Sequence, residues 1–181
     1  MNYQVQAIET RYKGYRMRSR LEARWAVVFD HLNVKWEYEK EGFTLSNGRR
    51  YLPDFYLSEF DIWVEIKPGF DKDTADLLEV FAKDVGAILW LAGNPMQFES
   101  WLLCLDANRN SKVLCSACLK LNGFGEAKIF CYDMDAGIYY AGADSHIVNG
   151  LVFPMLPDEK ATESALMAGR AARFEFGESG A

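Results

Sequence analysis

The sequence predicts an α/β (α+β) core over residues 1–95, ordered helix, three antiparallel strands, helix, strand. Three observations carry this expectation. An apolar stripe at helical spacing runs from Met17 to Leu32. Short strand-like runs follow, punctuated by Ser46-Asn47-Gly48 and Pro68-Gly69. A second amphipathic stretch, Asp71 to Val85, then leads into the unbroken apolar run Ala87 to Leu91, as expected of a buried strand.

The first helix is expected over Met17 to Leu32. Leu21, Trp25, Val28, Phe29 and Leu32 share one face, Ser19 and Glu22 have capping-box spacing, and Asn33 can close the end. Val34 to Glu39 alternates apolar and charged residues and reads as a half-buried strand. Arg50 to Leu57 reads as the second strand, with Pro53 at an edge or at the start of pairing because proline donates nothing to a ladder. Ile62 to Ile66 is the third. In the second helix Leu77, Leu78, Phe81 and Val85 are expected to face inward, and the strand after it can return parallel through a helical crossover.

Residues 96–181 read as a C-terminal extension packed on this core. It carries β-like runs from Lys112 to Ala141, turn candidates at Asn122-Gly123 and Ala136-Gly137, and a terminal helix over Asp158 to Phe176. No repeat or low-complexity linker interrupts the chain.

With 50% hydrophobic and 14% aromatic residues, the chain has material for a sizeable core. No apolar run reaches the ~18 residues of a membrane span. Met1-Asn2-Tyr3-Gln4 lacks a signal-peptide layout, so a soluble cytoplasmic protein is expected. The four cysteines are then reduced thiols or metal ligands rather than disulfides. Cys115 and Cys118 have zinc half-site spacing, with Cys131 as a third ligand and Cys104 or His146 as a fourth. The chain has no second CxxC pair, and buried structural thiols are the simpler reading.

The net charge of −6 hides an asymmetry. Residues 1–70 hold 11 Lys/Arg against 10 Asp/Glu, and residues 71–181 hold 9 against 16. Arg11 to Arg24 contains six basic residues and one acid, Glu22. Such a patch is either a solvated face or a phosphate-binding surface, for which Arg16, Arg18, Arg20 and Arg24 are the candidates. Tyr15 and Tyr51 have the chemistry to stack on bases, with packing the simpler use.

The most specific pattern is Pro53-Asp54 followed by Glu65-Ile66-Lys67. Residues i and i+2 of a strand share a face, which puts Trp63, Glu65 and Lys67 together and Val64 and Ile66 opposite, toward the core. Asp54 comes from the neighbouring strand. Two hard carboxylates, a backbone carbonyl and waters suit Mg²⁺ or Mn²⁺. Lys67 would orient the attacking water and offset phosphate charge, its proton held by the two carboxylates.

On Pro53, Asp54, Glu65, Lys67 and the helical Glu22, the chain resembles the PD-(D/E)xK nuclease superfamily, in particular its uncharacterised phage and prophage members and resolvase-like endonucleases. The likeness spans residues 11–93. It implies a restriction-endonuclease-like core and a divalent-metal DNA endonuclease, phage- or prophage-encoded and acting in a bacterial cytoplasm. Branched or nicked DNA would be its substrate and a homodimer its active form. Asp54, Glu65 and the Ile66 carbonyl would be ligands and Lys67 the catalytic lysine. Glu22 would be a further ligand, direct or through water, in competition with its capping role. The alternative is a non-catalytic binding protein on the same fold, whose acidic C-terminal half docks a protein partner or imitates DNA charge.

Overall fold

The computed structural model describes residues 7–105, 112–121, 127–133, 138–141 and 159–174. The chain opens with a hairpin, β1 (Thr10–Tyr12) and β2 (Tyr15–Met17). Its two turn residues, Lys13 and Gly14, both have positive φ, at 46° and 86°, as a type I′ turn requires. Met17 therefore belongs to a strand, and the first helix, α1 (Arg20–His31), starts later than its apolar periodicity suggests. Ser19 caps it, accepting a 3.2 Å hydrogen bond from the Glu22 amide. Asn33 closes the far end with φ 56°.

β3 (Trp36–Tyr38) follows. The expected strand from Arg50 to Leu57 is two strands. β5 (Arg50–Tyr51) pairs with β4 (Phe43–Thr44) across the Ser46-Asn47-Gly48 turn, while β6 (Phe55–Leu57) pairs with β3. Leu52-Pro53-Asp54 breaks the run, and Pro53 has no amide hydrogen to continue a ladder. β7 (Ile62–Lys67), α2 (Lys72–Asp84), β8 (Ile88–Asn94) and β9 (Gln97–Leu105) come next. β10 (Lys112–Leu121), β11 (Ala127–Asp133), β12 (Ile138–Ala141) and α3 (Glu159–Ala171) complete the described chain.

Eight strands form one sheet in the order β12-β11-β10-β9-β8-β7-β6-β3. Every pairing is antiparallel except β7 with β8, which run parallel because α2 carries the chain back across the sheet. The fold is thus mixed α/β, with three helices among the described residues and a mostly antiparallel sheet. β9 to β12 extend the same sheet as β7 and β8.

Both faces of the central strands are buried. Val64, Ile66, Leu89 and Leu91 pack with Val28 and Phe29 of α1 and Ala165 of α3. Trp63, Ile88, Trp90 and Ala92 pack with Leu78 and Phe81 of α2 and with Leu45 and Tyr51 of the β4–β5 hairpin. The face that carries Glu65 is therefore a second core, not a solvent face. In α2, Leu78 and Phe81 are buried and Leu77 half-buried as expected, but Val85 is exposed because it lies past the last turn. No helix of the described residues is long and apolar enough to cross a membrane.

α3 packs against α1 through Gly169. A Cβ built there would lie 2.4 Å from Val28 Cγ2 and 2.7 Å from the Arg24 carbonyl oxygen. Helix propensity alone favours alanine by about 1 kcal/mol. The clash outweighs it, since backbone oxygen cannot step aside. Gly169→Ala is expected to destabilise the protein by about 1–2 kcal/mol, as overpacking does, seen as a lower urea midpoint. An unchanged or raised midpoint would mean that the helices separate freely there.

The cysteines fall on the meander. Cys115 and Cys118 lie inside the continuous strand β10 rather than in a turn, and Cys131 of β11 pairs in register with Ala117. Cys104 of β9 pairs with Val113. His146 and both predicted turns, Asn122-Gly123 and Ala136-Gly137, lie outside the described residues.

Candidate active site

Three carboxylates are buried at one end of the β6–β7 pair. Glu22, Asp54 and Glu65 are 6%, 1% and 3% exposed. Burying an ionised carboxylate is costly unless it is paired or bonded, so their partners define what the site is for.

Asp54 immediately precedes Phe55, which pairs with Val64, so it lies opposite Glu65 across the β6–β7 ladder. Its Oδ2 accepts a 2.7 Å hydrogen bond from the Ile66 amide, which fixes the side chain against the strand that carries Glu65 and Lys67. Its Oδ1 accepts from the Arg18 guanidinium at 2.6 Å. Glu65 accepts from the Tyr51 hydroxyl at 2.6 Å through Oε2 and holds the Lys67 ammonium through Oε1. Burial, and then the Glu65 charge, push the Asp54 carboxyl up to about 8, against the opposing pull of Lys67 and the Ile66 amide. Each of the two carboxylates nevertheless has a cationic partner, Arg18 for Asp54 and Lys67 for Glu65.

Burial works against the Lys67 ammonium, but Glu65 and then Asp54 outweigh it, and its pKa is raised. The lysine is a fixed positive charge with its head half-open to solvent, not a base. Burial likewise opposes the charge on Arg18, and Asp54, the Tyr38 hydroxyl and Glu39 more than restore it.

Glu22 makes a variant of the expected cap. Its Oε2 accepts from the Tyr38 hydroxyl at 2.6 Å and from the Arg18 amide at 3.0 Å, and its Oε1 from the Ser19 hydroxyl at 2.7 Å. The carboxylate bonds the backbone one residue before the N-cap, not the N-cap amide itself. Its charge is felt at Asp54, and both of its oxygens, like those of Asp54 and Glu65, are hydrogen-bonded.

The four arginines diverge instead of forming one patch. Arg16 pairs with Glu9 on the exposed hairpin. Arg18 bridges Asp54 and Glu39, the latter at 2.7 Å. Arg24 donates to Asn94 at 3.0 Å. The Nε atoms of Arg20 and Arg24 are buried without a hydrogen-bond partner. Tyr15 packs on Trp36 and Tyr38.

Tyr38 and Glu39 are site residues that motif reading passes over, and Tyr51, named for base stacking or packing, donates to Glu65. Tyr38 alone carried a signal: it shares the apolar face of an alternating strand with Trp36, and a buried tyrosine hydroxyl needs an acceptor. Nothing local marks Glu39, which has φ 45° and whose amide donates to the Asp54 carbonyl at 2.9 Å.

Among the described residues, no three His, Cys, Asp or Glu groups meet in a metal-binding cluster. The expected donors are Asp54, Glu65 and the Ile66 carbonyl, the two carboxylates being held by Arg18, the Ile66 amide, Tyr51 and Lys67. That all-oxygen set, completed by water and substrate, fits Mg²⁺ or Mn²⁺, which take one or two carboxylates and keep several waters. Comparison with family models, curated proteins and solved structures finds no match.

Proposed function

We propose that the chain is a divalent-metal-dependent DNA endonuclease of the PD-(D/E)xK type, with Asp54, Glu65 and Lys67 at its centre. The observation that carries this reading is the burial of Asp54 opposite Glu65 with the Lys67 ammonium beside them. A fold gains little from placing two carboxylates there, whereas phosphodiester hydrolysis needs a cation site with an adjacent positive donor.

A Mg²⁺ or Mn²⁺ held by these groups would lower the pKa of a bound water and offset charge on the phosphate. The protein's part is positional. The Ile66 amide and the Tyr51 hydroxyl hold the two carboxylates in place. Lys67, kept protonated, donates to the attacking water or to a phosphate oxygen as negative charge develops. Glu22, locked by Tyr38 and Ser19, adds negative potential that favours a cation over a second lysine.

The test is cleavage of plasmid and branched DNA with Mg²⁺ or Mn²⁺. Asp54→Ala and Lys67→Ala are each expected to lower the rate by at least about 10²-fold, the scale for losing one group that stabilises transition-state charge. Equal residual activity in wild type and both variants would assign the cleavage to a contaminant.

One observation favours a non-catalytic reading, in which the fold binds a partner through its acidic second half. Arg18 already neutralises Asp54 and could be its permanent counter-ion. Arg18→Ala separates the two. In the nuclease reading the variant binds Mn²⁺ about tenfold more tightly, a gain of roughly 1.4 kcal/mol from removing a competing charge. In the other reading it loses stability and binds no Mn²⁺. Calorimetric titration with Mn²⁺ distinguishes them.

A further inference from the structure

Phe70 is the most exposed of the large apolar side chains among the described residues, at 62%. It follows Lys67-Pro68-Gly69 in the loop that leaves β7. It lies three positions beyond Lys67, a span of at most about 10 Å between their Cα atoms. It is also held. Phe70 stacks on Trp90 with centroids 4.9 Å apart and planes 25° apart, and it meets Trp101 at 5.4 Å and 63°. Trp90 and Trp101 in turn contact each other at 5.1 Å. Glu65, Trp90 and Trp101 are register partners across β7, β8 and β9, so the aromatic row runs along the sheet face directly away from the Glu65 carboxylate.

We infer that Phe70, backed by Trp90 and Trp101, is a stacking platform for one unpaired nucleobase of the strand whose phosphate contacts Lys67. The proposal rests on the nuclease reading and adds a substrate class to it: DNA that is single-stranded or splayed beside the scissile phosphate. The chemistry follows from geometry. One face of the Phe70 ring lies on Trp90, and the residue as a whole is 62% exposed, which points to an open second face. Such a face suits a flat π-system, and base–aromatic stacking contributes about 1–3 kcal/mol per base without regard to sequence. A base inside a duplex has both faces covered by its neighbours, so the platform selects one that has left the stack. Lys67, at the end of β7 with its side chain 37% exposed and paired with Glu65, supplies the phosphate contact. An aliphatic patch would point to a protein partner. A lone ring stiffened from beneath and next to a cation suits a nucleotide.

The experiment measures binding without cleavage. Fluorescence anisotropy of the full chain is recorded in EDTA with a labelled oligothymidylate and with a duplex of equal length, for wild type, Phe70→Ala, Phe70→Leu and Phe70→Trp. Wild type is expected to prefer the single strand. Phe70→Ala and Phe70→Leu lose about 10- to 100-fold of that affinity, with duplex binding unchanged, and Phe70→Trp retains it. The leucine variant keeps an apolar contact with Trp90, so its loss reports on the aromatic face rather than on folding, which circular dichroism checks. Equal binding of the two DNA forms overturns the proposal, as does a Phe70→Leu variant that binds like wild type. A wild-type dimer that becomes monomeric in Phe70→Ala also overturns it, since the ring would then cover a second copy. Because metal is absent, failure of the nuclease reading registers separately, as retained binding without cleavage when Mg²⁺ is restored.

Discussion

Glu65→Gln is expected to abolish Mn²⁺ binding and to slow cleavage by about 10³-fold while leaving the fold intact. The substitution keeps volume and an acceptor for the Tyr51 hydroxyl, so the 2.6 Å bond that fixes the side chain survives. What disappears is the negative charge facing Asp54 and Lys67. Several kcal/mol of charge stabilisation then go with the cation, and each 1.36 kcal/mol is tenfold in rate. Titration with Mn²⁺, cleavage kinetics and circular dichroism on one preparation read all three quantities. Wild-type Mn²⁺ affinity in Glu65→Gln would place the cation elsewhere and remove Asp54–Glu65 as its site.

Phe55→Ala should produce the largest loss of stability. Phe55 is fully buried and meets Phe29, Trp36 and Tyr38 at 5.4, 5.5 and 5.3 Å, each tilted or edge-on. Truncating a buried phenylalanine costs about 3–5 kcal/mol, the lost transfer energy plus the cavity left behind. For a chain of this size that corresponds to a fall in melting temperature of roughly 10 °C. The effect reaches the site through the backbone, since Asp54 is the preceding residue and Tyr38, which bonds Glu22, rests on the same ring. Metal affinity should therefore fall together with stability. A variant that melts like wild type would contradict the packing described for β3 and β6.

What could be read from sequence follows the range of the interactions involved. α2 is announced by Asp71, which caps it with a 2.7 Å bond to the Thr74 amide, and by an apolar stripe ending at Phe81. β7 and β8 are announced by apolar content alone. Asp54, Glu65 and Lys67 come together because Asp54 leads directly into β6, the neighbour of β7, and that adjacency follows from a four-residue connection. The parts that stayed hidden are set by tertiary context. Two-residue strands such as β4 and β5 are too short for alternation to register. Met17 fits the helical stripe of α1, but pairing with Thr10 makes it a strand residue. The direction taken by Arg18 depends on Glu39 and Asp54, 21 and 36 residues away, and no local pattern encodes that choice. The arginine-rich segment looks like a phosphate-binding surface in sequence, yet its members turn to four separate partners or interiors.

The parallel contact between β7 and β8 is a seam between two antiparallel blocks. On one side lie β3, β6 and β7, with the β4–β5 hairpin inserted between β3 and β6; on the other lies the meander from β8 to β12. Each block can be built from neighbours in the chain, whereas the seam must wait for α2 to cross. Asp54, Glu65, Lys67 and Glu22 all lie on or beside the first block, while the second contributes Trp90 and Trp101 as a wall. The carboxylates and the aromatic wall are thus carried by separate blocks. Under the proposed nuclease function, a different meander docked along the same seam would keep the carboxylates unchanged while altering the wall, so specificity could drift without moving the proposed site.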